Sequence, residues 1–162
     1  NDAVMNTLNK QGLVPLIKQY AKSGRPLLCI CLGMQILFES SEEGELAGLG
    51  MIPGSVKKLS NVSSEGTRVL KVPHMGWNTI QWKREVTKDS VLEDIPDKAF
   101  FYFVHSFHCV PTDKNIIAGT TQYGNEICSA IIKDELVATQ FHPEKSGSVG
   151  LSIYQNFVRR VE

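Results

Sequence analysis

Two clusters of reactive side chains, more than a hundred residues apart, carry the chemistry this chain could do. The first centres on Cys31 in Pro26-Leu-Leu-Cys-Ile-Cys-Leu-Gly-Met-Gln35, where an apolar run stops and helix-favouring sequence begins. That layout is a nucleophile elbow: a strand turns sharply into a helix and lifts one side chain out of the sheet's carboxyl edge. A thiol placed there attacks carbon as its thiolate, a form favoured by the amides and dipole of a following helix N-terminus. The second cluster is His142 and Glu144 in Gln140-Phe-His-Pro-Glu-Lys-Ser-Gly147. In extended backbone, side chains at i and i+2 point to the same side, so Glu144 can orient the His142 imidazole and stabilise its charged form. Pro143 helps by driving His142 out of the helical region. A thiol is only a few per cent ionised near neutrality, so a cysteine nucleophile gains from an imidazole base that a carboxylate holds. Each cluster also has a plain reading when taken alone. Cys29 and Cys31 could be small apolar residues of a buried strand, and His-Pro-Glu could be a surface turn.

Elements able to position these residues follow from periodicity. Asp2 can cap a first helix with Met5 and Leu8 inward, and Gly12 breaks it before a second helix in which Leu13, Ile17, Tyr20 and Ala21 recur at helical spacing. Ser23-Gly-Arg-Pro26 ends that helix and feeds the strand at 27–31. Helix, tight loop, apolar strand and helix is the rhythm of a parallel α/β sheet, whose strand carboxyl ends face the ligand crevice. A helix holding Gln35, Ile36, Leu37 and Phe38 leads into a polar, glycine-rich loop from Ser40 to Gly50. From Met51 the pattern turns to β, with strands expected at 53–59, 68–72, 79–83, 99–105, 115–121, 127–132 and 135–141. Turns are expected at Pro111-Thr-Asp-Lys114 and Tyr123-Gly-Asn125, and the polar stretch 86–98 reads as a loop with a helical turn. A last helix over 147–161 places Leu151, Tyr154, Phe157 and Val158 on one face. With no internal repeat and no linker, residues 1–162 read as one domain.

Composition excludes several classes. The 162 residues are 42% hydrophobic and 21% charged, as in an ordinary globular domain. Seventeen basic and seventeen acidic residues cancel, which leaves no electrostatic footprint for nucleic acid or an anionic membrane. No apolar run approaches the roughly 20 residues of a membrane span and no charged-then-apolar leader opens the chain, so a cytoplasmic protein is expected. Cysteines at 29, 31, 109 and 128 lack C-x-x-C spacing, which argues against zinc and against a disulfide framework; no metal or cofactor is expected. The chain starts at Asn1, without methionine, directly in helix-like sequence, as a fragment would.

Two further blocks, Val72-Pro-His-Met-Gly-Trp-Asn78 and Phe101-Tyr-Phe-Val-His-Ser106, lie between the clusters. All four blocks, in this order over nearly the whole chain, resemble the class I (triad) glutamine amidotransferases, and within them the glutaminase subunits of imidazole glycerol phosphate synthase. Amidotransferases of other pathways share the elbow and the His-x-Glu but typically lack the Pro-His-Met-Gly-Trp-Asn block. The resemblance implies a flavodoxin-like three-layer α/β fold with a central, largely parallel sheet and an added antiparallel portion. It implies that Cys31 attacks the side-chain amide of L-glutamine, that His142 moves the proton and that Glu144 orients His142. Gln35, Glu43 and the backbone at Ser106 and Phe107 match positions around the glutamine. Trp77, Asn78, Tyr102 and Lys145 match positions facing the cyclase subunit that uses the ammonia. Each also has a plainer alternative: Trp77 and Tyr102 as core aromatics, His74 and His105 as satisfied buried histidines, Glu43 as a solvated loop charge. Two departures stand out. Cys29 occupies the elbow position where the family usually has glycine, and family members begin with roughly 40 to 50 further residues whose Pro-Gly-x-Gly loop supplies or gates an oxyanion-hole amide. Two other readings stay open: a non-catalytic remnant that keeps the fold and the partner face, and a Cys-His hydrolase acting on another amide or on γ-glutamyl peptides.

Overall fold

A computed structural model describes all residues, Asn1–Glu162. Two helices open it, α1 (Asp2–Lys10) and α2 (Leu13–Lys22), split at Gly12, whose φ of 67° is left-handed and suits glycine. Asn1 rather than Asp2 caps α1; the Asp2 carboxylate instead accepts the backbone N–H groups of Glu45 and Leu46 and ties the loop after the elbow to the helix. The elbow follows as strand β1 (Leu27–Ile30) and a one-turn helix α3 (Leu32–Gln35). Strands β2 (Phe38–Ser41), β3 (Ile52–Lys58), β4 (His74–Thr79) and β5 (Gln81–Trp82) come next, then the single turn α4 (Arg84–Thr87). The chain closes with β6 (Phe100–His105), β7 (Phe107–Pro111), β8 (Ile117–Tyr123), β9 (Asn125–Lys133), β10 (Leu136–Thr139) and α5 (Gly147–Val161).

The main sheet runs β1-β10-β9-β7-β3-β2, with β8 paired to β9 and β5 to β8; β4 and β6 form a separate two-stranded ribbon. Along β9 and β10 neighbouring residues serve opposite faces, as strand geometry requires. Ile131 and Ala138 join a core with Met5 of α1, Met34, Phe38 and Ile52, while Ala130 and Val137 join one with Phe101, Phe103, Phe141 and Ile153 of α5. Both faces of the sheet are therefore covered, and the three-layer α/β arrangement is present. The parallel ladders are β1 with β10 and β2 with β3; the remaining ladders are antiparallel. The antiparallel portion thus takes a larger share of these residues than a largely parallel sheet would leave it. The reason is connection length, since turns such as that at Gly124 between β8 and β9 can only make antiparallel neighbours.

Several boundaries differ from expectation. No strand forms over 68–72: Val69 makes an isolated bridge with Val62 and is 89% exposed. The strand lies just beyond, at His74–Thr79, ahead of the one expected at 79–83; Gly76 within it has a φ of 127°, open to glycine. Strand β7 was not expected at all. The helix after the elbow stops at Gln35, and Phe38 already belongs to β2.

Candidate active site

The elbow is built by pairing. In register with β10, Ile30 stands opposite Thr139, and the Cys31 N–H donates to the Thr139 carbonyl at 2.7 Å. Cys31 itself has φ 51° and ψ −105°, a conformation that a residue with a side chain avoids and that persists only where its surroundings enforce it. Here the N–H bond on one side and the amides of Met34 and Gln35, donating to the Cys31 carbonyl at 3.0 and 3.2 Å, do so. Because α3 is a single turn, little macrodipole acts on the sulfur, and the Leu32 N–H is what remains of the expected helix effect. Burial pushes the Cys31 thiol above its ordinary range; Leu32 and the Gln140 side chain pull it down, and the charges of Glu144 and Glu43 push it up. Cys29 fits beneath the elbow, since a Cβ added to Gly33 would meet the Cys29 Cβ at an ordinary 3.6 Å, and burial pushes the Cys29 thiol to about 11.

Strand β10 delivers the second cluster to the same edge. Beyond Thr139 the buried Gln140 and Phe141 lead to His142, in extended backbone, which caps a one-turn 3-10 helix at Pro143–Lys145. His142 Nδ1 lies 2.5 Å from Glu144 Oε1, so Nδ1–H donates to the carboxylate and Nε2 is left as the basic nitrogen, buried and without a partner. The Tyr154 hydroxyl reaches Glu144 Oε2 at 3.4 Å. Strand β6 fixes the loop from the other side. His142 N–H donates to the Tyr102 carbonyl at 2.9 Å, Tyr102 N–H donates to Ser146 Oγ at 3.0 Å, and that hydroxyl donates to the His142 carbonyl at 2.6 Å. Gly150 lets α5 close over this turn, because a Cβ there would lie 2.1 Å from the Pro143 carbonyl oxygen.

Cys31 opens into a cleft of about 330 Å³ lined also by Leu32, Gln35, Glu43, Val104, Ser106 and Phe107. The cleft gathers Cys31 and all four residues expected around a glutamine. Their contacts are more specific than expected. The Gln35 amide is buried and donates to the Phe107 carbonyl at 3.0 Å and to Gln140 Oε1 at 3.1 Å, so it braces the cleft wall. The Glu43 carboxylate accepts from the Asn1 amino group at 3.0 Å. A larger groove of about 430 Å³ along Thr79, Trp82, Asp97 and Lys98 shares no residue with this cleft and is lined by no cysteine or histidine.

The class I glutamine amidotransferase family model matches residues 5–161. This chain belongs to that family. Among curated relatives of the amidotransferase, the imidazole glycerol phosphate synthase subunit HisH of Dehalococcoides mccartyi (strain CBDB1) is 49% identical over 153 residues, covering 94% of this chain and 70% of that one. The subunit HisH of Geobacter sulfurreducens is 48% identical over 154 residues, covering 94% and 72%. A solved glutamine amidotransferase superposes with a TM-score of 0.65 at 13% identity, covering 95% of this chain and 70% of the other; at that identity it supports the fold alone.

The amidotransferase carries a second polar feature behind the cleft. His105 Nδ1 lies 2.8 Å from the Phe107 carbonyl, His105 Nε2 lies 2.9 Å from His74 Nδ1, and His74 Nε2 lies 3.4 Å from Asn78 Nδ2. A carbonyl only accepts and an amide nitrogen only donates, so the protons run one way: Asn78 to His74, His74 to His105, His105 to Phe107. Both rings must then be neutral. Burial agrees, lowering each to about 4, and the two histidines are the satisfied buried pair that one reading of the sequence allowed. An unfolded histidine titrates near 6.5, so between about pH 6.5 and 4 the unfolded chain binds more protons than the folded one and stability falls as pH falls. We expect a loss on the order of 3 kcal/mol for each histidine across that window, read from urea midpoints at stepped pH, with the decline already visible above pH 5. A flat profile there would contradict the neutral pair.

On the ribbon, Trp77 of β4 faces Tyr102 of β6 in register, their rings edge to face at 5.9 Å, and Lys145 Nζ sits 5.9 Å from the Tyr102 ring. Trp77 is 55% exposed, as are Met75 at 62% and Phe100 at 59%, so Trp77 is a surface rather than a core aromatic. Asn78 was expected beside them. It points the other way, its amide committed to His74 and to the Gln122 carbonyl at 3.1 Å, because successive strand residues face opposite sides. Gln140, Ser146 and Tyr154 are the site residues that motif reading passed over.

Proposed function

We propose that this chain is the glutaminase subunit of an imidazole glycerol phosphate synthase, hydrolysing L-glutamine to glutamate and ammonia for a cyclase subunit. The observation that carries the proposal is the convergence of Cys31 and the His142–Glu144 pair on one sheet edge beside the cleft, in a chain nearly half identical to HisH subunits. At rest burial keeps the thiol protonated. His142 Nε2 takes that proton as Cys31 Sγ attacks the amide carbon, while the Leu32 N–H beside the sulfur favours its thiolate. His142 returns the proton to the leaving nitrogen, ammonia departs, and a γ-glutamyl thioester remains on Cys31. His142 then takes a proton from water, whose oxygen attacks the thioester, and glutamate leaves as the thiol re-forms. Glu144 holds the ring in the tautomer this requires. A diazo-ketone glutamine analogue tests the assignment: it should modify Cys31, and glutamine should protect. Equal labelling of all four cysteines would remove it.

The partner we infer is a (β/α)₈-barrel cyclase, bound one to one in the cytoplasm, that combines ammonia with a phosphoribosyl-formimino intermediate. The exposed Met75, Trp77 and Phe100, with Tyr102 and Lys145, supply the apolar and cationic anchors that such interfaces use. Trp77→Ala should weaken the complex by about 2 kcal/mol, roughly thirtyfold in Kd, measured by titration calorimetry. Unchanged affinity would move the interface elsewhere.

A further inference from the structure

The buried amides behind Cys31 can be oriented without ambiguity, because the line they form ends on a carbonyl. Phe107 O can only accept, and its two lone pairs are taken by Gln35 Nε2 at 3.0 Å and His105 Nδ1 at 2.8 Å. Gln35 therefore presents its NH₂ there and, with its second hydrogen, to Gln140 at 3.1 Å, so the Gln140 atom facing it is the oxygen. That leaves the Gln140 NH₂ aimed at Cys31 Sγ, 3.7 Å away. Gln140 is fully buried and its main-chain N–H is held separately by the Ser129 carbonyl at 2.8 Å, so the side chain is not needed to keep the strand end in place.

We propose that Gln140 is a catalytic residue of this site, donating a side-chain N–H to the Cys31 sulfur and stabilising the thiolate as the proton leaves, with Gln35 as the positioning residue that sets the Gln140 rotamer. A neutral donor suits the place. The bond is weak while the sulfur is a thiol and becomes charge-assisted as it ionises, so it favours the reacting form over the resting one. It also opposes the burial and the two carboxylates, Glu144 and Glu43, that raise the thiol, and it does so without adding a cation that would compete with His142.

The inference rests on Cys31 being the reacting atom, so its test uses iodoacetamide alone, without glutamine or a partner, followed at Cys31 by peptide mass spectrometry across pH. Gln140→Met keeps the volume and removes the donor. The alkylation midpoint should move to higher pH and the rate at neutral pH should fall by about tenfold or more. Gln35→Met should shift it in the same direction by less. If Gln140→Met does not fold, nitrogen-15 spectra of the unmutated chain decide: the Gln140 side-chain amide should shift with the same midpoint as Cys31 alkylation. An unmoved alkylation profile in a folded Gln140→Met, or an amide signal flat through the Cys31 midpoint, overturns the proposal. Failure of glutamine to protect Cys31 from the diazo-ketone analogue, with the iodoacetamide profile still sensitive to Gln140, would instead count against the glutaminase reading.

Discussion

Cys31→Ala is expected to lower glutamine hydrolysis by at least about 10⁴-fold while the chain still folds, because no other group at the cleft can form the thioester. The other thiols are no substitute: Cys109 and Cys128 are buried in the sheet and Cys29 lies under the elbow, all three raised by burial. Cys31→Gly should be just as inactive yet more stable than Cys31→Ala by about 1 kcal/mol, since the φ of 51° strains any residue with a Cβ and suits glycine. Urea unfolding of the two variants beside ammonia release measures both effects. Activity within tenfold of the parent in Cys31→Ala would end the assignment.

His142→Ala should cost roughly as much, on the order of 10⁴-fold, for two reasons that act together. The base is gone, and the Glu144 carboxylate, no longer bonded to an imidazole, still raises the thiol through its charge. Alkylation of Cys31 in this variant should therefore slow at neutral pH and move to higher pH. Glu144→Gln should be milder, roughly 10³-fold, because its amide oxygen can still accept from Nδ1 while the negative charge is lost. Turnover measured with a cyclase subunit and its ligand present would expose the ranking. Equal losses at 142 and 144 would mean that the carboxylate does more than orient the ring.

Much of the site was legible because its residues sit where backbone pattern is strong. The stop of an apolar run at Cys31 and the His-Pro-Glu turn each mark the end of a strand, and the strands proved to be neighbours in parallel register. The family blocks then placed Gln35, Glu43, Ser106 and Phe107, and all of them line the cleft. What could not be read depended on side-chain direction. Asn78 was grouped with Trp77 by the resemblance alone, whereas in β4 the two are successive strand residues and face opposite sides. Gln140 and Tyr154 act across the fold, on Cys31 and Glu144, and looked like a strand end and a helix face. The helix after Cys31 was overestimated because Ile36, Leu37 and Phe38 are apolar in any conformation, and the start of β2 at Phe38 is set by pairing with Ile52.

The β4–β6 ribbon has a mechanical consequence. Its two strands ladder only to each other, so it is a beam propped on the sheet rather than a plank within it. Its outer face carries Trp77 and Tyr102; its backbone at Tyr102 holds the amide of His142, and its far end at His105 grips the Phe107 carbonyl that forms one wall of the cleft. A load on the aromatic face is therefore shared between two bearings that flank the sulfur, one under the base and one under the wall. The amide of the catalytic base and the carbonyl of the cleft wall are thus both anchored on one ribbon, at two points along a single strand.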